Sequence, residues 1–254
     1  MLECPGQLSP DWQRAFFRLR PLLWAELRES PHLFLGTAGE IVYRGSSSGS
    51  QGRPLIYFAG QQWDTVRNYS RDRAFLDWGI GEDTPILNVA SRLFPLRPKD
   101  GVILGTVDEG FLEEFLGLIE GGFRVLRGYP SRLCEVAGYL QGKRLPRLQA
   151  VICTGEVLFA WQMALLEATF QCPVINKYGC PEAGVAGLSC SAGRLHLQTE
   201  RCFFEEVEGE VLVTDLYNTV MPIIRYQWGD VLQLYDTPCL CGREGVTGNY
   251  SGGE

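Results

Sequence analysis

Residues 150–176 read AVICTGEVLFAWQMALLEATFQCPVIN. Val151–Cys153 is an uninterrupted apolar run too short for a helix. Phe159–Phe170 follows with helix formers and no proline, and after Pro173 a second apolar run covers Val174–Asn176. Continuous apolar strands are buried on both faces, and two of them joined through a helix form the unit from which parallel sheets are built. This stretch predicts a strand–helix–strand crossover.

The same alternation extends upstream. Strands are predicted at Ile86–Ala90, Val102–Leu104 and Phe123–Leu126, with helices at Asp108–Glu120 and Ser131–Leu140. Before them, residues 60–79 (GQQWDTVRNYSRDRAFLDWG) carry Trp63, Val66, Tyr69 and Phe75 at the spacing of one helical face. Residues 10–29 are helical in pattern but interrupted by Pro21, which predicts two short helices or one kinked helix. From about residue 194 the texture changes to short strand-like runs: RLHLQTE, CFFEEV, GEVLVTDL, PIIRYQ and DVLQLY. The expected architecture is therefore α/β, a largely parallel sheet with covering helices (residues 1–193), plus a small antiparallel subregion (194–254) packed on it.

Net charge is −7 and the basic residues are scattered, which argues against nucleic acid as a partner. No run approaches the roughly 20 apolar residues of a membrane span, and the amino-terminal residues do not read as a signal peptide. A cytoplasmic protein is expected. In that setting the nine cysteines are not expected to form a disulfide framework.

Between the strand EIVYRG and the strand LIYFA lies Ser46–Ser47–Ser48–Gly49–Ser50–Gln51–Gly52–Arg53–Pro54. Glycines let successive backbone N–H groups form a concave nest, and hydroxyls add donors, so the stretch reads as a phosphate loop or as a polar surface loop. It lacks the Gly-Lys-Ser/Thr of a P-loop. Gly45, Ser47 and Gly49 match the nucleophile-elbow pattern of serine hydrolases, but no helix begins after Ser47; of the two histidines, His32 precedes the elbow in an atypical order for a triad and His196 has a better use.

SSGSQGRP, Tyr178–Gly179–Cys180–Pro181–Glu182 and Met221-PIIRYQWG-Asp230 stand in one order along the chain. Together they resemble the phosphate loop, the aromatic-Gly-x-Thr-Glu motif and the Pro-Leu-Ile-Arg-Tyr-x-x-Gly-Asp motif of the adenylate-forming enzymes, in the branch of phenylacetate–coenzyme A ligase and capsule-biosynthesis proteins. The resemblance implies that Ser47, Ser48, Gly49, Ser50, Gly52 and Arg53 hold the ATP phosphates. Tyr178 and Gly179 would lie near adenine, with Gly155 and Glu156 lining the pocket. Glu182 would coordinate Mg²⁺ beside the α-phosphate, and Asp230 would bind the ribose hydroxyls. Arg225, a cation in an apolar run, needs a carboxylate or phosphate partner if buried and is assigned with Glu182 to the catalytic set. Read without the family, Glu182 has an alternative as a helix-start acid after Pro181 and Asp230 as a turn acid, while Tyr178 is equally a core residue.

Cys190, His196, Cys239 and Cys241 supply the number and type of donors of a closed zinc site, and the same family branch resembles this pattern. Cys202 is a possible substitute ligand. The departures are Pro181 at the family's threonine, Arg53 at its lysine and Gln227 at an arginine. The sequence also stops short of the family's lysine-bearing C-terminal domain. Three functions are therefore expected to compete: ATP-dependent adenylation of a small carboxylic acid, with CoA as acceptor; a nucleotide-binding protein acting with a partner chain or as a homodimer; and a hydrolase using Ser47.

Overall fold

The computed structural model describes residues 10–37, 39–46, 54–90, 98–235 and 237–253. The chain opens with α1 (Pro10–Arg18), β1 (Leu22–Leu23) and α2 (Trp24–Glu29), so Pro21 separates two helices. A hairpin of β2 (Tyr43–Ser46) and β3 (Ile56–Ala59) brackets the serine-glycine stretch, and α3 (Gln61–Leu76) follows. Residues 47–53 lie outside the described residues, and with them the assignments of Ser47, Ser48, Gly49, Ser50, Gly52 and Arg53.

The alternating region forms β4 (Ile86–Val89), β5 (Gly101–Ile103), α4 (Glu109–Glu120), β6 (Val125–Gly128), α5 (Pro130–Leu140), β7 (Ala150–Thr154), α6 (Ala160–Phe170) and β8 (Val174–Cys180). Local chemistry sets the helix ends. The Asp108 carboxylate accepts from the Phe111 amide at 2.9 Å to cap α4, and Pro130 starts α5 where its missing N–H costs nothing. Five strands run parallel in the order β5-β4-β6-β7-β8. Helices α4, α5 and α6 bury one face of this sheet around Phe115, Leu133 and Leu166. The other face packs Ile86, Val125, Ile152 and Ile175 against Phe75 of α3.

The sheet continues antiparallel through β9 (Val185–Ser189), β10 (Leu195–Leu197), β15 (Thr247–Gly253) and β14 (Asp230–Tyr235), giving nine strands. The reversal thus begins at Val185, earlier than the change of texture near 194. VAGLS, short and containing Gly187, gives too weak an alternation to show it. A second sheet, β1-β13-β12-β11, is built from β11 (Cys202–Val207), β12 (Glu210–Asp215) and β13 (Tyr226–Gln227).

Two expectations need correction. PIIRYQ is not one strand: only Tyr226 and Gln227 are extended, because Arg225 adopts φ 51° in the left-handed region. The inward face of α3 is also rotated from the expected one. Tyr69 is 68% exposed while Ser70 is buried, because polar groups rather than apolar ones lie beneath the middle of this helix.

Candidate active site and metal centre

β8 turns into β9 through Pro181–Gly184. The Gly184 amide donates to the Pro181 carbonyl at 3.1 Å, and Gly184 takes φ 66°. Glu182 therefore sits on a hairpin turn, not at a helix start. It is buried, and Tyr226 Oη donates to its Oε1 at 3.1 Å. Among the described residues, its Oε2 is buried without a partner. Burial pushes the Glu182 carboxyl above its ordinary range.

Tyr178, on β8, donates from Oη to Asp230 Oδ2 at 2.9 Å and accepts from Trp228 Nε1 at 2.6 Å. Gly229, at φ 85°, makes the turn that brings Trp228 and Asp230 to the same hydroxyl. Burial raises both the Tyr178 hydroxyl and the Asp230 carboxyl. Tyr178 belongs to the apolar cluster that also holds Leu55, Tyr57, Ala59 and Trp63. Both the β2–β3 hairpin and the start of α3 are thereby anchored beside it. Gly179 follows it, exposed on β8 opposite Ala186.

The remaining assignments lie elsewhere. Glu156 closes the start of α5, accepting from Ser131 Oγ at 2.9 Å and from the Ser131 amide at 3.1 Å. Gly155 takes φ 83° and lies so close to the Tyr129 ring that a Cβ there would collide with it. Arg225 is buried, as the sequence required, with a carboxylate partner: its Nε lies 3.2 Å from Glu205 Oε2. Its Nη1 donates to the carbonyls of Phe17 and Leu19. These bonds clamp the amino-terminal segment and engage neither Glu182 nor Asp230. Trp228 and Tyr226, which position Asp230 and Glu182, were missed in the sequence. Trp228 stands two residues before Asp230, but Tyr226 is 44 residues from Glu182, so no local pattern pointed to that contact.

Cys190 follows β9, His196 lies on β10, and Cys239 and Cys241 lie in the connection between β14 and β15. The ligand atoms of all four lie within 4.8 Å of one another. Cys190 Sγ is 3.5 Å from Cys239 Sγ, and Cys241 Sγ is 3.2 Å from His196 Nε2. Cys202 is not among them; its thiol donates to the Ala183 carbonyl at 3.5 Å.

No family model matches the chain. Protein CapK of Staphylococcus aureus is 27% identical over 117 residues, 43% of this chain and 26% of CapK. The solved 2-hydroxyisobutyryl-CoA ligase, in complex with 2-HIB-AMP and CoA, superposes with a TM-score of 0.71 over 91% of this chain at 19% identity. This is the fold of the adenylate-forming acyl-CoA ligases. The chain spans 62% of that ligase and about a quarter of CapK. A malonyl-CoA ligase, with methylmalonyl-CoA and AMP bound, shares the fold at a TM-score of 0.57 and 14% identity, over 85% of this chain and 53% of the ligase. Among the described residues, no helix is long and apolar enough to cross a membrane.

Proposed function

We propose that this adenylate-forming fold binds magnesium-ATP and joins the α-phosphate to a carboxylic acid, releasing pyrophosphate, in the cytoplasm. The observation that carries the reading is the presence of two acids around β8, one in the turn after it and one held by its Tyr178. Asp230 is held by Tyr178 with an oxygen available to a diol, and Glu182 carries a buried oxygen without a partner. Ligands of open α/β sheets bind outside the carboxyl ends of the strands; Glu182 follows the carboxyl end of β8, and Asp230, at the start of β14, meets β8 through Tyr178.

The reaction forms a bond between a carboxylate oxygen and the α-phosphorus and breaks the bond to pyrophosphate. No side chain need carry a proton through it; alignment and neutralisation of charge supply the rate. Asp230 would orient the ribose and the 47–53 loop would hold the tail of ATP. An unpartnered carboxylate oxygen is a hard donor suited to Mg²⁺, which would neutralise phosphate charge beside Glu182. Coenzyme A is the proposed acceptor of the acyl group, and a partner chain or second copy would contribute to that step. Arg225 acts from outside the reacting groups, by fixing the strand that carries Tyr226.

Cys190, His196, Cys239 and Cys241 would hold zinc in a closed tetrahedral set. Three thiols and an imidazole match that ion's preference, and the site would pin the β14–β15 connection to β9 and β10. The hydrolase reading gains no support, since His196 is occupied by Cys241.

Titration with magnesium-ATP tests the nucleotide site. Asp230→Ala is expected to weaken binding at least about tenfold through loss of charge-assisted hydrogen bonds. Unchanged affinity would remove the ribose assignment, and ATP–pyrophosphate exchange across a panel of acids tests the chemistry itself.

A further inference from the structure

The face of the sheet beneath α3 ends in polar side chains that the nucleotide reading leaves unused. Side chains alternate along a strand. Asn88, Arg127, Thr154 and Lys177 therefore share the face of Ile86, Val125, Ile152 and Ile175. Each lies toward the carboxyl end of its parallel strand. Over them, α3 contributes Arg67, Ser70 and Arg71, and the segment after β10 contributes Gln198 and Arg201.

The acids nearby are largely engaged. Arg67 pairs with Asp64 at 2.6 Å. Arg71 grips both oxygens of Asp72, at 2.8 and 2.9 Å. Arg127 donates to Asn88 at 2.5 Å and lies 4.0 Å from Asp100. Asp215 accepts from Trp63 Nε1 and from the amides of Tyr217 and Asn218. The Lys177 side chain, on a partly buried residue, makes no hydrogen bond or ion pair among the described residues. Burial, with Arg127, Arg71, Arg201 and Arg67 around it, pulls its ammonium down to about 8. Arg201 is 2% exposed with Asp215 beside it, and among the described residues its Nη2 and Ser70 Oγ are buried donors without a hydrogen-bond partner. Buried cations and donors without acceptors are costly until something negative meets them.

Gly184, two residues past Glu182, packs against one end of this cluster: a Cβ there would stand 2.7 Å from Asp215 Oδ2 and 2.8 Å from Arg201 Nη2. The cations thus begin beside the proposed reaction centre and run under α3 to Lys177.

We propose that this seam receives a second carboxylate on the acyl substrate, so that the acid activated is a dicarboxylate rather than an apolar monocarboxylic acid. The inference rests on the adenylation reading, which places the reacting carboxylate near Glu182.

Calorimetry with the full chain tests it, using a length series of α,ω-dicarboxylates against monocarboxylates of matched length, with magnesium-ATP affinity measured separately. The best dicarboxylate is expected to bind about tenfold tighter than its monocarboxylate partner. Lys177→Met should erase that preference while leaving ATP affinity unchanged, and Lys177→Arg should retain it. Arg71→Gln, at a half-buried position on α3, should weaken the preference should Lys177→Met fold poorly. Equal binding of the two acid classes, or a preference that survives Lys177→Met, overturns the proposal. A Lys177→Met protein that loses ATP instead assigns the cations to the triphosphate and also overturns it. Failure of ATP to bind the wild-type chain falls on the adenylation reading and is read in the separate titration.

Discussion

Asp230, the proposed ribose acceptor, is a carboxylate held at the expense of the fold. Burial raises it from the ordinary value of 3.8, while Tyr178 donates to it. The folded chain therefore holds this proton more tightly than the unfolded chain. The associated stability is fully present below about 3.8 and is lost as pH rises through the higher folded value. Asp230→Asn, which keeps an acceptor for Tyr178, is expected to raise the urea midpoint at neutral pH, and the gain should shrink on acidification. A gain that grew as pH fell would contradict the burial argument. The carboxylate's position was legible in Trp228-Gly229-Asp230, where glycine precedes a short acid. Its bond to Tyr178 was not, because 52 residues separate the partners and no local pattern links them.

Elements built from local periodicity were the most readable. The crossover quoted from residues 150–176 appears as β7, α6 and β8, and α4 begins at its aspartate cap. Elements defined by distant partners were not. β13 is two residues long because Arg225 turns away to meet Glu205 and the carbonyls of Phe17 and Leu19. The pair is buried on both sides, with side chains 8% and 7% exposed. Breaking such a pair from one side costs about 3–5 kcal/mol. Arg225→Ala is expected to lower stability on that scale and to expose residues 17–23 to limited proteolysis before global unfolding. Cleavage no faster than in the wild type would show that β1 and α1 are held by their apolar contacts alone. Likewise α3 reads as an ordinary amphipathic helix until the polar groups beneath Ser70 are known.

At the scale of the molecule, the proposed zinc joins β9, β10 and the β14–β15 connection, segments whose ligands span residues 190 to 241. About one zinc per chain is expected after purification without added metal. A Cys239→Ser/Cys241→Ser protein should lose it, and chelation should lower the melting temperature of the wild type but not of that variant. Metal analysis that finds none retires the site. β8 has a different importance. It is the strand at which the nine-stranded sheet changes from parallel to antiparallel, and Lys177 and Tyr178 are consecutive on it. Slipping this strand by one residue would exchange the two faces, presenting lysine where the aromatic hydroxyl stands. The proposed acid and nucleotide sites thus share one backbone and cannot drift separately by sliding it. On that proposal, directed evolution aimed at a new acid belongs in the overlying helix, at Arg67, Ser70 and Arg71, where side chains can be exchanged without moving the rail that both proposed sites share.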